Sequence, residues 1–255
     1  MRVIFTIVYS NDVNITNLYN SIDCDVDVLV ILTKIKLNLS GNKFVKNIIY
    51  KDYNYKFQSV AQIWNHFIES AVLPNYIIIN DDLIFGSGFL QSFINSTDSN
   101  PNKLQITKNL PFACFSITPY IIKKYGMFDE NYKLSYWEDS DYVTNILRDR
   151  VTQPTPDSMI YNAEDSEDIL LFNKNDEYEI HHVHCGTYKH SSEEHRKYIS
   201  DCINRNGLYY NLKWKNKNKP FDIYNWWFQM ISHLKNLDYT KVYIKIWGLY
   251  LLYEF

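Results

Sequence analysis

Two adjacent aspartates follow a short apolar run. The run is Tyr76–Ile79, and it leads directly into Asn80, Asp81 and Asp82. Two neighbouring ionised carboxylates repel each other, and an apolar interior adds to their cost, so a cation is their usual partner. A hard divalent ion takes one or two carboxylates and completes its shell with phosphate oxygens and water. The alternative is an ordinary turn or helix cap, which Asn and Asp also favour.

A second acidic cluster lies among aromatic residues further along the chain. The segment "SYWEDSDY", residues 135–142, holds Glu138, Asp139 and Asp141. Aromatic rings can stack on a sugar, and they can exclude water from a carboxylate, which raises its pKa towards the range of a general base. The same acids are typical of a helix start, where they complement the helix dipole. The two interpretations are compatible, because a helix start is a rigid mount for a base.

A third motif, "EIHHVHCGT", residues 179–187, brings three histidines within four positions. On a strand, His182 and His184 share one face while His181 points to the other, so at most two of the three reach one site. Imidazole is a common metal ligand. The motif is therefore compatible with a metal site and also with structural histidines.

These motifs need a scaffold, and the apolar pattern indicates one. Runs at residues 2–10, 26–33 and 75–80 have the length and β-branched content of buried strands, and their unbroken apolarity favours a parallel sheet covered on both faces. Residues 57–72 repeat apolar side chains at helical spacing. The alternation predicts an α/β domain with an open, mostly parallel sheet flanked by helices. Such sheets bind ligands at the carboxyl ends of their strands, which is where Asp81 and Asp82 lie.

The composition limits the class of protein. The chain has 255 residues, of which 46% are hydrophobic and 22% charged, as is usual for a folded globular protein. A net charge of -3 argues against a nucleic-acid partner. The four cysteines form no CxxC pair and favour a reducing compartment. The first segment is typical of a strand rather than a signal peptide, and the apolar tail at residues 242–255 is too short for a membrane span. We therefore expect a cytoplasmic location.

In this order, the three motifs resemble those of the family 2 glycosyltransferases, enzymes with the GT-A fold, a Rossmann-like mixed sheet that binds a nucleotide sugar. "YIIINDDLIFGSGFL" is similar to the family's DxD-like aspartate motif after the central strand. "GMFDENYKLSYWEDSDY" is similar to its glycine, phenylalanine, Asp-Glu and later Glu-Asp stretch, and this is the most specific of the three likenesses. "HVHCGT", followed by "NLKW" at residues 211–214, resembles the family's closing segment.

The resemblance implies a metal-dependent, inverting transfer of a sugar from a UDP, GDP or dTDP sugar to a hydroxyl of a glycan or other acceptor. The implied cofactor is Mn²⁺ or Mg²⁺, and the implied role is in glycan biosynthesis. Asp139 would be the general base, with Glu138 beside it as the second catalytic residue. The metal ligands would be Asp82, Asp81, His184 as the first histidine and His182 as the second.

Donor binding is expected at the end of the first strand, on the helix at residues 57–72 and at the aspartate motif. The candidates for contacts to the nucleotide are Thr6, Val8, Ser10, Asn65 and Asp81. Asn65 belongs to "SVAQIWNHFI", which matches the family's helix near the donor site but lacks the arginine often found before it. Thr33 and Lys34 stand where family members often carry an aspartate for the uracil or ribose, so recognition of the base is left open.

The resemblance covers about residues 1–214, which we expect to form the catalytic domain. Residues 215–255 form a second expected unit, a C-terminal helical and aromatic extension. One helix face there is apolar; its residues are Ile223, Trp226, Trp227, Met230, Ile231 and Leu234. This face would pack on the domain or on a second subunit in a homodimer, or it would serve with nearby lysines as a peripheral membrane or docking element.

Two other functions remain as alternatives. A sugar nucleotidyltransferase uses a related sheet but normally carries a glycine-rich phosphate loop after the first strand, and "VYSNDVNIT" contains no glycine. A carbohydrate-binding or nucleotide-sugar-binding protein could keep the fold without the chemistry. The presence of "NDD", "WEDSD" and "HVH" favours an enzyme.

Overall fold

A seven-stranded sheet forms the centre of the protein. The computed structural model describes residues 2–8, 12–53, 59–71, 76–148, 163, 166–173, 177–183, 192–214, 241–246 and 249–254. The seven strands are β1 (Val3–Val8), β2 (Val28–Thr33), β3 (Ile48–Asp52), β4 (Tyr76–Asn80), β6 (Leu104–Thr107), β7 (Cys114–Ser116) and β8 (Ile169–Phe172). Their order across the sheet is β3-β2-β1-β4-β7-β6-β8. Two short strands, β5 (Leu83–Phe85) and β9 (Ile180–His182), pair outside this sheet.

The sheet is mixed but mostly parallel. Strands β3, β2, β1 and β4 run parallel to one another, and β6 runs parallel to β8. Only β7 is antiparallel to its neighbours β4 and β6 among the described strands of this sheet. The prediction of an α/β fold with a mostly parallel sheet is therefore confirmed.

Helices cover both faces of the sheet, as the unbroken apolar runs predict. They are α1 (Asp12–Ser21), α2 (Val60–Ser70), α3 (Phe89–Ser99), α4 (Pro119–Tyr125), α5 (Glu138–Leu147) and α6 (Glu193–Trp214). Alternate side chains of one strand enter different cores, because strand residues point to opposite faces in turn. Phe5 lies in the core that includes residues of α2, α5 and α6, whereas Ile4 lies in the core that includes residues of α1 and α3.

The predicted helix at residues 57–72 is α2, and its start is capped. Ser59 precedes the helix with extended backbone, and its Oγ accepts a hydrogen bond from Gln62 N at 3.2 Å. The cap satisfies one of the N–H groups that a helix start leaves without a partner. The cap therefore fixes where α2 begins.

The last part of the chain differs from the expectation. Lys241–Ile246 (β10) and Leu249–Glu254 (β11) form an antiparallel hairpin, so the prediction of a helical extension is wrong for this part of residues 215–255. β10 contains Val, Ile and Tyr, and β11 contains two Tyr residues; such side chains favour strands. The predicted helix face from Ile223 to Leu234 lies outside the described residues. None of the helices that the structure describes is both long and apolar enough to cross a membrane.

An aromatic cluster joins the sheet to the helices that carry the acidic motif. The Phe115 ring of β7 lies 5.0 Å from the rings of Trp64 and Phe112. The Phe128 ring stacks on the Tyr142 ring of α5 at 4.3 Å and lies 4.9 Å from Trp64. Because these rings are buried, their contacts fix the position of α5 relative to β7 and α2.

We expect Phe115→Ala to lower the free energy of unfolding by about 3–5 kcal/mol, since it leaves a cavity in the middle of this cluster. Ile49→Ala on the edge strand β3, where the side chain is 45% exposed, should change it by only about 0.5 kcal/mol. Urea unfolding of both variants measures the difference. Equal losses in the two variants would contradict the central place of Phe115 in the core.

Candidate active site

The turn between β4 and β5 places two predicted metal ligands beside each other. Asp81 and Asp82 occupy this turn, directly after the carboxyl end of β4. Strand β9 pairs antiparallel with β5, with His182 opposite Leu83, and Val183 N donates to Asp82 O at 2.8 Å. This pairing brings His182 Nε2 to 3.0 Å from Asp82 Oδ1. Residues far apart in the sequence thus meet at one end of the sheet.

The electrostatics of Asp81 favour a positively charged partner. Burial, and then the negative charge of Asp82, raise the pKa of Asp81 to about 7. No described lysine or arginine forms an ion pair with either carboxylate. A cation bound at this turn would favour the ionised form of Asp81 and remove the repulsion between the two aspartates.

The turn carries carboxylates, the side chains that a hard divalent ion usually takes from a protein. Within the part of the chain that the structure describes, no group of three or more His, Cys, Asp and Glu side chains is arranged as a metal site by itself. Mg²⁺ and Mn²⁺ commonly rely on one or two carboxylates and take their other ligands from phosphates and water. Asp81 and Asp82 are carboxylates of this kind, and a metal ion at this turn stays a prediction. His184, the histidine expected first, lies outside the described residues.

The predicted donor-binding residues occupy different surroundings. Thr6 and Val8 are fully buried on β1, and Thr6 Oγ1 has no hydrogen-bond partner among the described residues. Because the Val8 side chain belongs to the core, only its backbone could meet a ligand. Asn65 Nδ2 donates to Phe128 O and to Glu130 Oε1, both at 2.9 Å, and its Oδ1 accepts from Phe128 N at 3.0 Å. Asn65 thus connects α2 to a neighbouring loop.

Ser10 lies outside the described residues. For Thr6, Val8, Ser10 and Asn65, a direct contact with the nucleotide stays a prediction. The bonds of Asn65 show that it also has a structural role, since both ends of its amide are engaged by the loop at residues 128–130.

The first turn of α5 carries the two predicted catalytic carboxylates. Glu138 is 4% exposed, and its Oε2 has no hydrogen-bond partner among the described residues. Burial, and then the charge of Asp139, raise the pKa of Glu138 to about 8. With this pKa, Glu138 is mostly neutral at pH 7. A buried polar atom without a partner is costly, and such atoms are more common at functional sites than elsewhere.

Asp139 is partly exposed, in contrast to Glu138. Its Oδ1 accepts a hydrogen bond from Ser140 N at 2.6 Å, which favours the ionised form. Burial outweighs this bond and raises the pKa of Asp139 above its ordinary value. A carboxylate that is accessible and has a raised pKa is suited to accept a proton from a substrate.

The backbone just before these acids is strained. Leu134, Tyr136 and Trp137 have φ values of 61°, 77° and 79°, although none of them is glycine. The left-handed conformation costs an ordinary residue about 1–2 kcal/mol. Such residues persist where neighbouring contacts impose the conformation, and they are concentrated at active sites. The sequence gives no sign of this strain, because Gly and Asn, the usual residues at positive φ, are missing from these positions.

The loop before Glu138 and Asp139 is held at the end of the sheet where β4 ends. In the crossover from β3 to β4, α2 runs antiparallel to both strands, so its start lies at the edge where parallel strands end. Ser59 at this start forms a parallel bridge with Leu134, and Val60 N donates to Leu134 O at 2.6 Å. The loop that leads into Glu138 is thus held at the end of the sheet where Asp81 follows β4.

A separate ionic cluster connects the first turn of α5 to the end of α6. Lys213 Nζ lies 2.8 Å from Asp129 Oδ2 and 2.8 Å from Asp141 Oδ2. Trp214 Nε1 and Tyr132 Oη donate to Asp141 Oδ1 at 2.8 and 2.9 Å. Burial acts to raise the pKa of both carboxyls; at Asp129 the ion pair with Lys213 outweighs it and the pKa falls, whereas at Asp141 burial prevails. The "NLKW" motif supplies Lys213 and Trp214, and the acidic motif supplies Asp141.

The comparisons with known proteins give a distant likeness only. No protein-family model and no curated protein matches the sequence. Among solved structures, a crystal structure of S. aureus TarS, a glycosyltransferase, is similar with 11% identity and a TM-score of 0.47 over 81% of this chain and 43% of that chain. A crystal structure of S. aureus TarS 1–349 is similar with 9% identity and a TM-score of 0.41 over 99% of this chain and 96% of that chain. The chain thus spans less than half the length of the first structure. At these values, the likeness carries no inference about activity.

Glu138→Gln should reduce the dependence of stability on pH between about pH 5 and 8. The folded state keeps the Glu138 proton up to a pKa of about 8, whereas an unfolded glutamate loses it near about 4.3. The folded state therefore binds more protons, and the wild-type protein loses up to about 1.4 kcal/mol per pH unit as the pH rises through this window. Glutamine is neutral throughout and removes this loss.

Urea unfolding at about pH 5, 6.5 and 8 measures this effect as the difference between the variant and the wild-type protein. Glu194→Gln, at an exposed position of α6, is the control. A difference that stays constant across these pH values for Glu138→Gln would contradict a buried, protonated Glu138.

Lys213→Met should lower the free energy of unfolding by about 3–5 kcal/mol, because it leaves Asp129 and Asp141 buried without their cation. Lys46→Met removes the ion pair with Asp27, in which the lysine side chain is 55% exposed, and it should cost much less, because solvent screens an exposed pair. Thermal or urea unfolding separates the two. A Lys213→Met variant as stable as Lys46→Met would show that the buried cluster contributes little.

Proposed function

We propose that the chain is a metal-dependent, inverting glycosyltransferase of the GT-A type, which moves a sugar from a nucleotide-diphosphate sugar to a hydroxyl of a glycan or other acceptor. The observation that carries the proposal is that the aspartate turn and the loop before Asp139 are held at the same end of the sheet, where its parallel strands end. There, Asp81, Asp82 and His182 lie at the carboxyl end of β4, and the bridge between Ser59 and Leu134 holds the loop before Asp139. Sugar transfer needs these two parts together, a place for the diphosphate and a base for the acceptor.

The donor side of the site is the turn after β4. Asp81, Asp82 and His182 are the described residues that would hold Mn²⁺ or Mg²⁺. A divalent ion bound there would neutralise the diphosphate and stabilise the departing nucleotide. The pKa of about 7 at Asp81 supports this assignment, since it marks a carboxylate that lacks a positive neighbour of sufficient strength.

The acceptor side is the start of α5. Asp139 accepts the proton of the acceptor hydroxyl while the hydroxyl oxygen attacks the anomeric carbon, and the nucleotide diphosphate leaves from the opposite face, so the configuration inverts. The raised pKa of Asp139 makes it a better proton acceptor than an ordinary aspartate. Glu138 is mostly protonated at pH 7, so it adds little negative charge beside the base.

The donor assignment predicts metal-dependent binding of one class of nucleotide. A panel of UDP, GDP and dTDP sugars is measured by thermal shift with and without Mn²⁺, because a ligand that binds only the folded state raises its stability. We expect one nucleotide to raise the Tm, and only when metal is present. Asp82→Ala should remove this shift, whereas Asp98→Asn, at an exposed position near the end of α3, should keep it. If no nucleotide sugar binds in the presence of metal, the donor assignment is wrong.

The base assignment predicts a separation of binding from chemistry. Asp139→Asn should keep the metal-dependent thermal shift but lower kcat by about 10²–10⁴-fold, the usual contribution of a general base. Transfer is measured by release of the nucleotide diphosphate with the donor found above. Full activity of Asp139→Asn would exclude it as the base. Metal-dependent binding without any transfer by the wild-type protein would instead match a nucleotide-sugar-binding protein of the same fold.

A further inference from the structure

We propose that Asn206 of α6 is a positioning residue for the transfer reaction: its side-chain amide holds the loop of residues 133–136 in its strained conformation and thereby directs Asp139 towards the acceptor. This inference rests on the proposed function, which makes Asp139 the base. It adds a residue that is far from the acidic motif in sequence and that does not itself touch the reacting atoms.

The contacts of Asn206 are concentrated on one short stretch of backbone. Its Nδ2 donates to the carbonyl oxygens of Lys133, Ser135 and Tyr136 at 2.8, 3.2 and 3.1 Å. Its Oδ1 accepts from Lys133 N at 3.2 Å. One side chain, 1% exposed, thus binds four backbone groups of a loop that forms no regular helix there. Buried backbone groups outside regular structure need such partners.

The guanidinium of Arg205 fixes the orientation of the Asn206 side-chain amide. Arg205 Nη2 donates to Asn206 Oδ1 at 2.6 Å, and a guanidinium can only donate. The atom beside Arg205 is therefore the oxygen, and the NH₂ group faces the three carbonyls. A carboxylate at this position would still accept from Arg205, but it would have no proton to donate to the loop.

The loop needs this support because its conformation is unfavourable for its residues. Leu134, Tyr136 and Trp137 all have positive φ. Trp137 is the N-cap of α5, and Asp139 is the second residue of that helix. Only two peptide units separate the strained cap from the base, so a change in the loop would change the direction in which the Asp139 carboxylate points.

Gly207, the next residue of α6, holds the side chain of the same cap. A Cβ atom at this position would lie 2.9 Å from Cζ2 and 3.0 Å from Cε2 of Trp137, closer than such atoms can approach. The Trp137 ring also lies 5.1 Å from the Tyr210 ring. Two adjacent residues of α6 therefore fix the backbone and the aromatic ring of the segment that precedes the base.

Asn206→Asp keeps the size of the side chain and its acceptor but removes the donor group. We expect kcat to fall by about 10–100-fold, since a displacement of about 1 Å can cost that much. The KM for the donor and the metal-dependent thermal shift should change by less than about twofold, because the donor side does not include the loop. Hydrogen exchange at residues 133–139 should become at least about tenfold faster as the loop opens.

The pH profile separates positioning from a general loss of stability. A looser loop admits water to Asp139, which lowers its pKa towards the ordinary value. Because the base must be ionised, the acidic limb of kcat should then move to lower pH in Asn206→Asp. A residue that only stabilises the fold would leave this limb in place.

A matched control and a second variant complete the experiment. Asn42→Ala also removes a loop-holding amide, which donates to Tyr19 O and Ile22 O and accepts from Phe44 N, but at the opposite edge of the sheet. It should lower the Tm without changing kcat or the acidic limb. Gly207→Ala favours the helix itself but displaces the Trp137 ring, so it should lower kcat and shift the limb as Asn206→Asp does.

The outcomes distinguish this inference from the proposed function. If wild-type protein is active and Asn206→Asp keeps normal kcat, or if exchange at residues 133–139 is unchanged, Asn206 is not a positioning residue. If Asn206→Asp fails to fold, a normal kcat in Gly207→Ala overturns the inference, and a lowered kcat with a shifted limb supports it. An inactive wild-type protein overturns the proposed function and, with it, the role of Asn206 in transfer.

Discussion

The cost of keeping carboxylates at the edge of an apolar sheet is the constraint on which this structure depends. Burial is the largest cause that raises the pKa of Asp81 to about 7 and the pKa of Glu138 to about 8. Within the described residues, no lysine or arginine forms an ion pair with either of them. Asp129 and Asp141, by contrast, share the partly buried cation Lys213. The described residues therefore provide a cation for the acids that support α5 and provide no lysine or arginine ion pair for Asp81 and Glu138.

Helix α6 contacts both the ionic cluster at Asp141 and the loop that precedes Glu138. Near its end, Lys213 and Trp214 bind Asp141 in the first turn of α5. In its middle, Asn206 binds the loop that enters the same turn. The start of α5 is thus held by two parts of one helix, while Asp139 in the same turn is partly exposed. A reactive group that is held in this way loses little freedom when it reacts, which is the physical basis of preorganisation.

The sequence predicts the central strands and their edge well because these depend on local patterns. Continuous apolar runs mark β1, β2 and β4, and the place of Asp81 after β4 puts it at a ligand-binding edge in any such sheet. The contact between Asp82 and His182 depends on the pairing of two three-residue strands, which carry too few residues for a pattern. The sequence did not predict the hairpin of β10 and β11, because a short apolar run is compatible with helix and strand alike. Lys213 had a signal in "NLKW", but its acidic partners could be found only in three dimensions.

The positions of positive φ show why the strained loop differs from an ordinary turn. In the turn near Asn42, at the opposite edge of the sheet, Gly41 takes the left-handed conformation at φ 94° and has nothing within 4 Å of where a Cβ would lie. Before α5, Tyr136 and Trp137 take it instead, although glycine would remove the strain. The side chain of Trp137 gives a reason, because its ring packs on Gly207; Tyr136 is 42% exposed. Glycine would suffice if only a turn were needed here, so the strain is consistent with a packing role for the Trp137 side chain before α5.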